Sequence, residues 1–186
     1  MKDFDGLHAL VTGGGRGIGA AIAFALTQGG ARVTITGRNE AALAERVARK
    51  DAAAYIRADL ADPAAFEKAM TEIAGKGPVD ILVNNAGMAM SAPFLKTADA
   101  DFEMLFRVNV LGAVIASRAV LPGMMARKFG RIVNIASTAA LKGHPYISAY
   151  VTSKHALLGF TRALALEQAK TGVTVNAVWT DRKSVV

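Results

Sequence analysis

The feature that most limits the fold of this 186-residue chain is a regular alternation of short apolar segments with longer segments of helical pattern. Six of the apolar segments are rich in Val, Ile and Leu and have the length of buried strands. Strands separated by helices pair in parallel, so the alternation predicts an α/β fold with a doubly wound parallel sheet. The predicted strands are 7–11, 32–36, 54–58, 80–83, 131–136 and 173–178, and the predicted helices are 18–28, 39–50, 63–74, 99–128, with a kink near Gly112, and 148–169.

The composition is that of one globular domain, which we expect to span residues 1–180. Hydrophobic residues make up 52% of the chain, which favours a packed core over disorder. Cysteine is absent, so disulfides and thiolate metal sites are excluded, and we expect a cytoplasmic protein with no metal site. The longest apolar run, 108–126, contains Arg118, Pro122 and Gly123, so it predicts a buried helix and not a membrane span.

The net charge of +7 could indicate an anionic partner. The basic residues are scattered along the chain and form no stripe interleaved with aromatic side chains. This distribution argues against nucleic-acid binding as the main role. A solvated surface with a few arginines that bind a smaller anion is the better interpretation.

The first predicted strand is joined to the first predicted helix by a glycine-rich turn, Thr12-Gly13-Gly14-Gly15-Arg16-Gly17-Ile18-Gly19. Glycine turns are common, but this one has the position that phosphate binding requires. Gly13, Gly17 and Gly19 allow the backbone to approach a pyrophosphate, and the helix amino terminus adds amide donors and a favourable dipole. The turn therefore predicts a dinucleotide site.

Three polar side chains predict a proton-transfer site. Ser137 follows the fifth predicted strand, at the sheet edge where open α/β sheets place their ligands. Tyr150 and Lys154 are four residues apart on the last predicted helix and share one face of it. A nearby ammonium favours the phenolate and lowers the pKa of a tyrosine, so the pair predicts general acid–base chemistry.

Several motifs occur together in the order and at the spacing of the short-chain dehydrogenase/reductase family, which the chain resembles from residue 5 to about 179. These motifs are Thr12-Gly13-x-x-x-Gly17-x-Gly19, Asn84-Asn85-Ala86-Gly87, Asn109, Ser137 and Tyr150-x-x-x-Lys154. The resemblance implies a Rossmann-like sheet of strand order 3-2-1-4-5-6, with the family's seventh strand missing. It also implies an NAD(P)-dependent oxidoreductase that moves a hydride between a nicotinamide cofactor and a carbonyl or secondary alcohol.

The resemblance assigns a role to each matching residue. Tyr150 would transfer the proton, Ser137 would bond to the substrate oxygen, and Asn109 would hold a water that links Lys154 to solvent. Lys154 would also bind the nicotinamide ribose, and Asp59 would contact the adenine. The expected cofactor-binding residues, besides Tyr150 and Lys154, are Gly13, Gly15, Arg16, Gly17, Ile18, Gly19, Arg38, Asp59, Leu60, Asn85, Ala86 and Gly87.

Taken singly, these residues also have ordinary structural interpretations. Tyr150 and Lys154 could be surface residues, and Asn109 could satisfy buried backbone groups. His144 and His155 could suggest a metal or acid–base role, but the sequence offers no second ligand cluster beside them. We therefore interpret both histidines as surface or rim residues.

The end of the second strand predicts the cofactor preference. A carboxylate there would bond to the ribose 2′-hydroxyl of NAD and repel a 2′-phosphate. The chain has Arg38 and Asn39 instead, and the first carboxylate is Glu40. Arg38 can bind a 2′-phosphate and Arg16 can add a second positive charge, although Arg38 could also be a solvated loop residue. NADP is therefore predicted over NAD.

The sequence leaves the substrate and the direction of the reaction open. An apolar rim would flank the cleft, formed by Met88, Met90, Phe94, Leu141 and Tyr146. The stretch 163–178 is most similar to 3-oxoacyl-thioester reductases, although polyol, steroid and other alcohol dehydrogenases share much of it. The alternatives to a working reductase are a nucleotide-binding sensor or scaffold without turnover, and an inactive fragment of the enzyme.

The resemblance implies that family members have a further segment where this chain ends. Family members continue after the sixth strand with a substrate-covering segment and a seventh strand, so we expect turnover from a longer parent and not from residues 1–186. Residues 181–186 match one reading frame of a common sequencing-adapter DNA and are expected to be a non-native tail. The alternatives are a natural frameshift and a real short variant. The parent is expected to be a homo-oligomer, with one interface built from the two long helices, about 109–128 and 148–169.

Overall fold

A computed structural model of the chain, which describes residues 3–180, contains a parallel sheet of six strands. The strands are β1 (His8–Thr12), β2 (Arg32–Gly37), β3 (Ala54–Arg57), β4 (Ile81–Asn84), β5 (Gly130–Ser137) and β6 (Val173–Thr180). They lie in the order β3-β2-β1-β4-β5-β6, and every neighbouring pair is parallel. The predicted doubly wound sheet and its strand order are confirmed.

The strand order determines where a ligand can bind. The chain winds outward from β1 to β3 and then returns to β4, on the other side of β1. Because the winding direction reverses there, the carboxyl ends of β1 and β4 leave a crevice between them. Open α/β sheets bind their ligands at such a switch point.

In the described part of the chain, six helices flank the sheet: α1 (Gly17–Gln28), α2 (Glu40–Ala48), α3 (Pro63–Gly75), α4 (Asp99–Phe106), α5 (Gly112–Ala126) and α6 (Ser148–Glu167). Local signals determine where two of them begin. The side chains of Asn39 and Asp62 accept hydrogen bonds from the backbone N–H groups of Ala42 and Ala65, and so cap α2 and α3. Pro63 fits the first turn of α3, where its missing N–H would have no helical partner.

The predicted helix 99–128 is not continuous. A π-helical segment, Arg107–Leu111, separates α4 from α5. The predicted kink near Gly112 falls where this wider segment ends, and a Cβ at Gly112 would overlap the side chain of Leu60. Segments of this kind are rare inside helices and occur often at functional sites.

The sheet is buried on both faces at its centre, since all five residues of β1 are buried. Leu10 packs on one face with Phe66 and Ile132. Val11 packs on the other face with Ile35. Burial of both faces explains why the central strands are continuous apolar runs and do not alternate with polar residues.

By length and composition, one helical run within residues 3–180, Asp99–Ala126, could cross a membrane. Its α5 part contacts α3 and strands β4 and β5, and core helices of folded proteins commonly have the same composition. The predicted tail at 181–186 lies outside the described residues. The domain boundary at residue 180 stays a prediction.

Candidate active site

A cavity of about 720 Å³ opens at the switch point. It is formed by the turn after β1, the ends of β2 and β3, and the loop after β4. The cavity brings together twelve of the residues predicted to bind a cofactor, namely Gly13, Gly15, Arg16, Gly17, Ile18, Gly19, Arg38, Asp59, Leu60, Asn85, Ala86 and Gly87. A volume of this size suits a ligand as large as a dinucleotide.

Glycine is required in the turn for steric reasons. Gly13 has φ +68°, and a Cβ there would lie 2.9 Å from the Cα of Ala86. A Cβ at Gly19 would overlap the carbonyl oxygen of Gly13 and the side-chain amide of Asn85. Gly17 has φ +56° and no atom near the position of a Cβ, so its side is open. The backbone at the amino end of α1 is therefore accessible to a phosphate.

The loop after β4 is fixed to the glycine turn by hydrogen bonds. The hydroxyl oxygen of Thr12 accepts from the backbone N–H groups of Asn85 and Ala86, at 3.1 and 3.0 Å. The side-chain amide of Asn85 donates to the carbonyl oxygens of Thr12 and Gly13, at 3.0 and 3.2 Å. Asn85 therefore lines the cavity, and its amide links the loop after β4 to the glycine turn after β1.

The charged residues of the cavity favour an anion. Arg16 and Arg38 both line it and are exposed. Asp59 is the single carboxylate among the lining residues, and its Oδ1 accepts from the N–H of Ala61 at 2.9 Å. Glu40 does not line the cavity and accepts from the hydroxyl of Tyr55 at 3.4 Å. These positions fit a ligand with an additional phosphate near β2.

Lys154 is buried beside Tyr150. Lys154 is only 5% exposed, and its Nζ donates a hydrogen bond to the carbonyl oxygen of Ile135 in β5 at 2.9 Å. Nζ lies 5.8 Å from the centre of the Tyr150 ring. Burial disfavours the charged amine and lowers the pKa of Lys154 from 10.5 to about 8. The predicted pair is therefore brought together by the helical spacing.

Asn109 lies in the π-helical segment and is 2% exposed. Its Oδ1 accepts from the N–H of Met88 at 2.8 Å, and its Nδ2 donates to the carbonyl oxygen of Met88 at 2.9 Å. Nδ2 also donates to the hydroxyl oxygen of Ser153 at 2.9 Å. The predicted role of Asn109 in holding a water stays a prediction, because the structure shows its amide bonded to protein groups.

Gly87 lies between the cavity and two of the predicted catalytic side chains. It lines the cavity, and a Cβ built on it would lie 3.1 Å from Asn109 Oδ1 and 3.7 Å from Lys154 Nζ. Ser137 is the last residue of β5, two residues after the Ile135 carbonyl that accepts from Lys154. The four predicted catalytic residues thus come from β5, α6 and the π-helical segment. Asn109 and Lys154 lie close to Gly87 of the cavity wall, and the four are not among its lining residues.

Some functional positions were not predicted from the sequence. The cavity is also lined by Gly37, Asn39, Ala42, Leu43, Ala58 and Val108, while Met88, predicted to flank the cleft, lines it as well. Ala58 could have been found, because it precedes Asp59 at the end of β3 and shares the same sheet edge. Ala42 and Leu43 enter the cavity wall through the packing of α2, which no local pattern indicates. Within residues 3–180, no group of three His, Asp or Glu side chains lies together as a metal site would require.

The fold and the site define a class of protein: a doubly wound sheet with a dinucleotide-sized cleft at its switch point and a buried lysine beside a tyrosine. The sequence profile of the short chain dehydrogenase family matches residues 7–181. The chain belongs to this family of oxidoreductases, and the resemblance found in its motifs is confirmed.

The chain is similar to proteins with different named activities. L-xylulose reductase from Mesocricetus auratus is 40% identical over 174 residues, covering 93% of this chain and 70% of the relative. Acetoacetyl-CoA reductase from Shinella zoogloeoides is 39% identical over 171 residues, covering 91% and 71%. The solved structure of a gluconate 5-dehydrogenase from Burkholderia cenocepacia, in complex with NADP and tartrate, has a TM-score of 0.87 at 36% identity, covering 95% and 71%.

Proposed function

We propose that the chain binds NADPH in the cavity at the carboxyl edge of its sheet and reduces a carbonyl group to a secondary alcohol, or catalyses the reverse reaction. The observation that carries this proposal is the position of Gly87, which is shared by the cavity wall and the surroundings of Asn109 and Lys154. A nucleotide that fills the cavity would therefore reach the buried catalytic side chains.

The residues of the cavity fit a dinucleotide with a 2′-phosphate. The glycine turn and the amino end of α1 would hold the pyrophosphate. Arg16 and Arg38 would pair with the 2′-phosphate, and Asp59 would lie at the adenine. The bound nicotinamide supplies the hydride. The solved relative that contains NADP supports this choice over NAD.

Tyr150 would donate a proton to the carbonyl oxygen during reduction and accept it back in the reverse reaction. Lys154 would stabilise the phenolate that forms when the proton leaves, since its ammonium is held on the same helix face. Ser137 would bond to the substrate oxygen and fix its position. Asn109 would hold a water between Lys154 and solvent, through which Tyr150 regains its proton.

The apolar rim predicted for the cleft favours a substrate with an apolar substituent. Met90, Phe94, Leu141 and Tyr146 are 38%, 70%, 57% and 63% exposed. Exposed apolar side chains beside a site can bind an acyl chain. We therefore favour a 3-oxoacyl thioester, consistent with the acetoacetyl-CoA reductase relative. A keto sugar or polyol is the second candidate, because the L-xylulose reductase relative is equally similar.

The proposal includes a cytoplasmic location, no membrane or nucleic-acid partner, and a homo-oligomer in the parent enzyme. The contacts of α5 with α3 and the sheet support a core helix over a membrane span. Exposed apolar residues on the two long helices support an interface between copies, notably Met125 and Leu166, at 42% and 80% exposed. Analytical ultracentrifugation of the chain tests this interface.

The rival function is a nucleotide sensor without turnover. The experiment compares NADPH oxidation by the 186-residue chain with a chimera that continues after Thr180 with the corresponding segment of the Burkholderia relative. The substrates are 3-oxoacyl thioesters of increasing length and keto sugars. Oxidation that depends on Tyr150 supports the reductase. Oxidation by the chimera alone identifies this chain as the inactive fragment, and NADPH binding without oxidation in either supports the sensor.

A further inference from the structure

We propose that Ser153 is a positioning residue: its hydroxyl fixes the amide of Asn109, and Asn109 in turn holds Met88 at the wall of the nucleotide cavity. The consequence for nucleotide binding rests on the proposed function. The positioning itself rests only on hydrogen bonds between residues of this chain.

Ser153 is 1% exposed and precedes Lys154 in α6. Its hydroxyl donates to the carbonyl oxygen of Tyr150 at 2.8 Å. A hydroxyl has a single proton, so this bond leaves only the lone pairs of the oxygen for another partner. The contact with Asn109 Nδ2, at 2.9 Å, must therefore be a bond donated by Asn109.

This direction of bonding agrees with every other bond of the Asn109 amide. Nδ2 faces two acceptors, the Ser153 hydroxyl and the Met88 carbonyl, and Oδ1 faces one donor, the Met88 N–H. Without the Ser153 hydroxyl, one Nδ2 proton would be buried without a partner, because Asn109 is 2% exposed. The amide would then gain by turning away from Met88 to find another acceptor.

The connection ends at the cavity. Met88 and Gly87 line the cavity, and Gly87 lies against both Asn109 and Lys154. Ser153 therefore ties the helix that carries Tyr150 and Lys154 to the loop that forms the cavity wall. Such a tie sets the distance between the bound nucleotide and the proton-transfer pair.

An ordinary interpretation of Ser153 also exists, since serine hydroxyls in helices often bond to a carbonyl three or four residues earlier. That interpretation explains the bond to Tyr150. It does not explain the bond from Asn109, which is 44 residues away in the sequence and on another helical segment. The two interpretations differ in what happens at Met88 when the hydroxyl is removed.

The test is backbone hydrogen exchange at Met88 in Ser153→Ala, measured on the 186-residue chain without nucleotide. We expect Met88 to exchange about 10-fold faster than in the wild type, which corresponds to about 1.4 kcal/mol. Exchange at Val33, buried in β2, should not change. Ser153→Cys, which keeps a weak acceptor of similar size, should give an intermediate rate. Thr152→Val removes an exposed neighbouring hydroxyl of α6 and should leave both rates unchanged.

The second measurement is the NADPH dissociation constant, which should rise several-fold and up to about 10-fold in Ser153→Ala and stay constant in Thr152→Val. Unchanged exchange at Met88, or an equal acceleration at Met88 and Val33, would overturn the positioning role. Faster exchange at Met88 with an unchanged NADPH affinity would overturn the link to the cavity. A wild-type chain that does not bind NADPH would contradict the proposed function, while Met88 exchange would still decide the role of Ser153.

Discussion

The amino edge and the carboxyl edge of the parallel sheet both bury polar groups, but they satisfy them differently. At the amino edge, His8 is 4% exposed and both ring nitrogens have protein partners. Nδ1 bonds to the Pro78 carbonyl oxygen at 2.8 Å, and Nε2 bonds to the Thr34 hydroxyl at 2.9 Å. Asp80 accepts from the His8 N–H and from Arg127, at 2.9 and 3.2 Å. The buried polar groups at this edge are therefore hydrogen-bonded to other residues of the chain.

At the carboxyl edge, some polar groups have few or no partners within the described residues. The buried hydroxyl of Thr36 has no hydrogen-bond partner within residues 3–180. The Lys154 amine has a single protein acceptor, and Arg16 and Arg38 line the cavity without an ion-pair partner among the described residues. Buried Lys154 and these two arginines are therefore the polar groups at this edge that remain available to a ligand. The comparison therefore separates polar residues that stabilise the fold from those that serve a ligand.

The largest effect is expected at the carboxyl edge, from Tyr150→Phe in the longer parent enzyme, where turnover is expected. Removal of the phenol should lower kcat by about 10²–10⁴-fold, because the general acid is lost. The NADPH dissociation constant should stay nearly constant, since the glycine turn and Lys154 hold the nucleotide. Steady-state kinetics and a binding titration on the same variant check both statements. A variant that keeps most of its kcat would remove Tyr150 from the mechanism.

The next effect concerns the backbone of the same edge. Gly19→Ala should weaken NADPH binding by about 100-fold, because the added methyl group overlaps the Gly13 carbonyl and the Asn85 amide. Gly159→Ala in α6 is the matched control, since a Cβ at Gly159 meets no atom within 4 Å. Fluorescence titration with NADPH measures both. Equal affinities for the two variants would contradict the steric role of Gly19.

A smaller effect is expected from the charge of the cavity. Arg38→Asp should weaken NADPH binding by about 10-fold and leave NADH binding equal or stronger, because a carboxylate repels the 2′-phosphate and accepts from a 2′-hydroxyl. Arg162→Asp makes the same charge change on the exposed surface of α6 and should not alter the ratio. The ratio of the two dissociation constants is the readout, and an unchanged ratio would exclude Arg38 as the selector.

The smallest effect is expected at the amino edge, from His8. Burial is the main cause that lowers the pKa of His8 below its ordinary value of 6.5, and Arg32 adds to it, while the bond to Pro78 and the Asp80 carboxylate act in the opposite direction. The folded chain therefore binds protons less readily than the unfolded chain. The contribution of neutral His8 to the stability of the fold is fully present above pH 6.5, and it is lost as the pH falls below this value.

Chemical denaturation of wild type and His8→Gln at about pH 7.5 and about pH 5 tests this effect. Between these two pH values the wild type should lose more of its unfolding free energy than the variant. NADPH affinity at neutral pH should be equal in the two chains, because His8 lies at the opposite edge from the cavity. A weaker NADPH affinity in His8→Gln would break the separation between the two edges.

The fold could be predicted from the sequence because the central strands are buried on both faces and the helices are not. The strand order followed from the family resemblance. The π-helical segment Arg107–Leu111 could not be predicted, since the apolar pattern of 99–128 is the same for a continuous α-helix. Gly112 was the local sign that the helix is not regular. Glycine is needed at this position because a Cβ would overlap the side chain of Leu60, which comes from another part of the chain.

The cavity wall could largely be predicted, because the glycine turn and the strand ends are local in sequence and meet at one sheet edge. The contact of Ser153 with Asn109 could not be predicted, because it depends on how α6 packs against the π-helical segment. The same limit applies to His8, whose partners Thr34 and Pro78 come from distant segments. Sequence patterns thus indicate which residues are functional, while packing determines which residues support them.

The central claim is that the carboxyl edge is an NADPH site, and calorimetric titration of the 186-residue chain with NADPH and with NADH tests it most directly. We expect NADPH to bind at least about 10-fold more tightly at low salt, because in the proposed site Arg16 and Arg38 would pair with the 2′-phosphate. The difference should shrink as salt screens these exposed charges. Equal affinities for the two nucleotides would contradict the role of the arginines. No binding of either nucleotide would contradict the site itself.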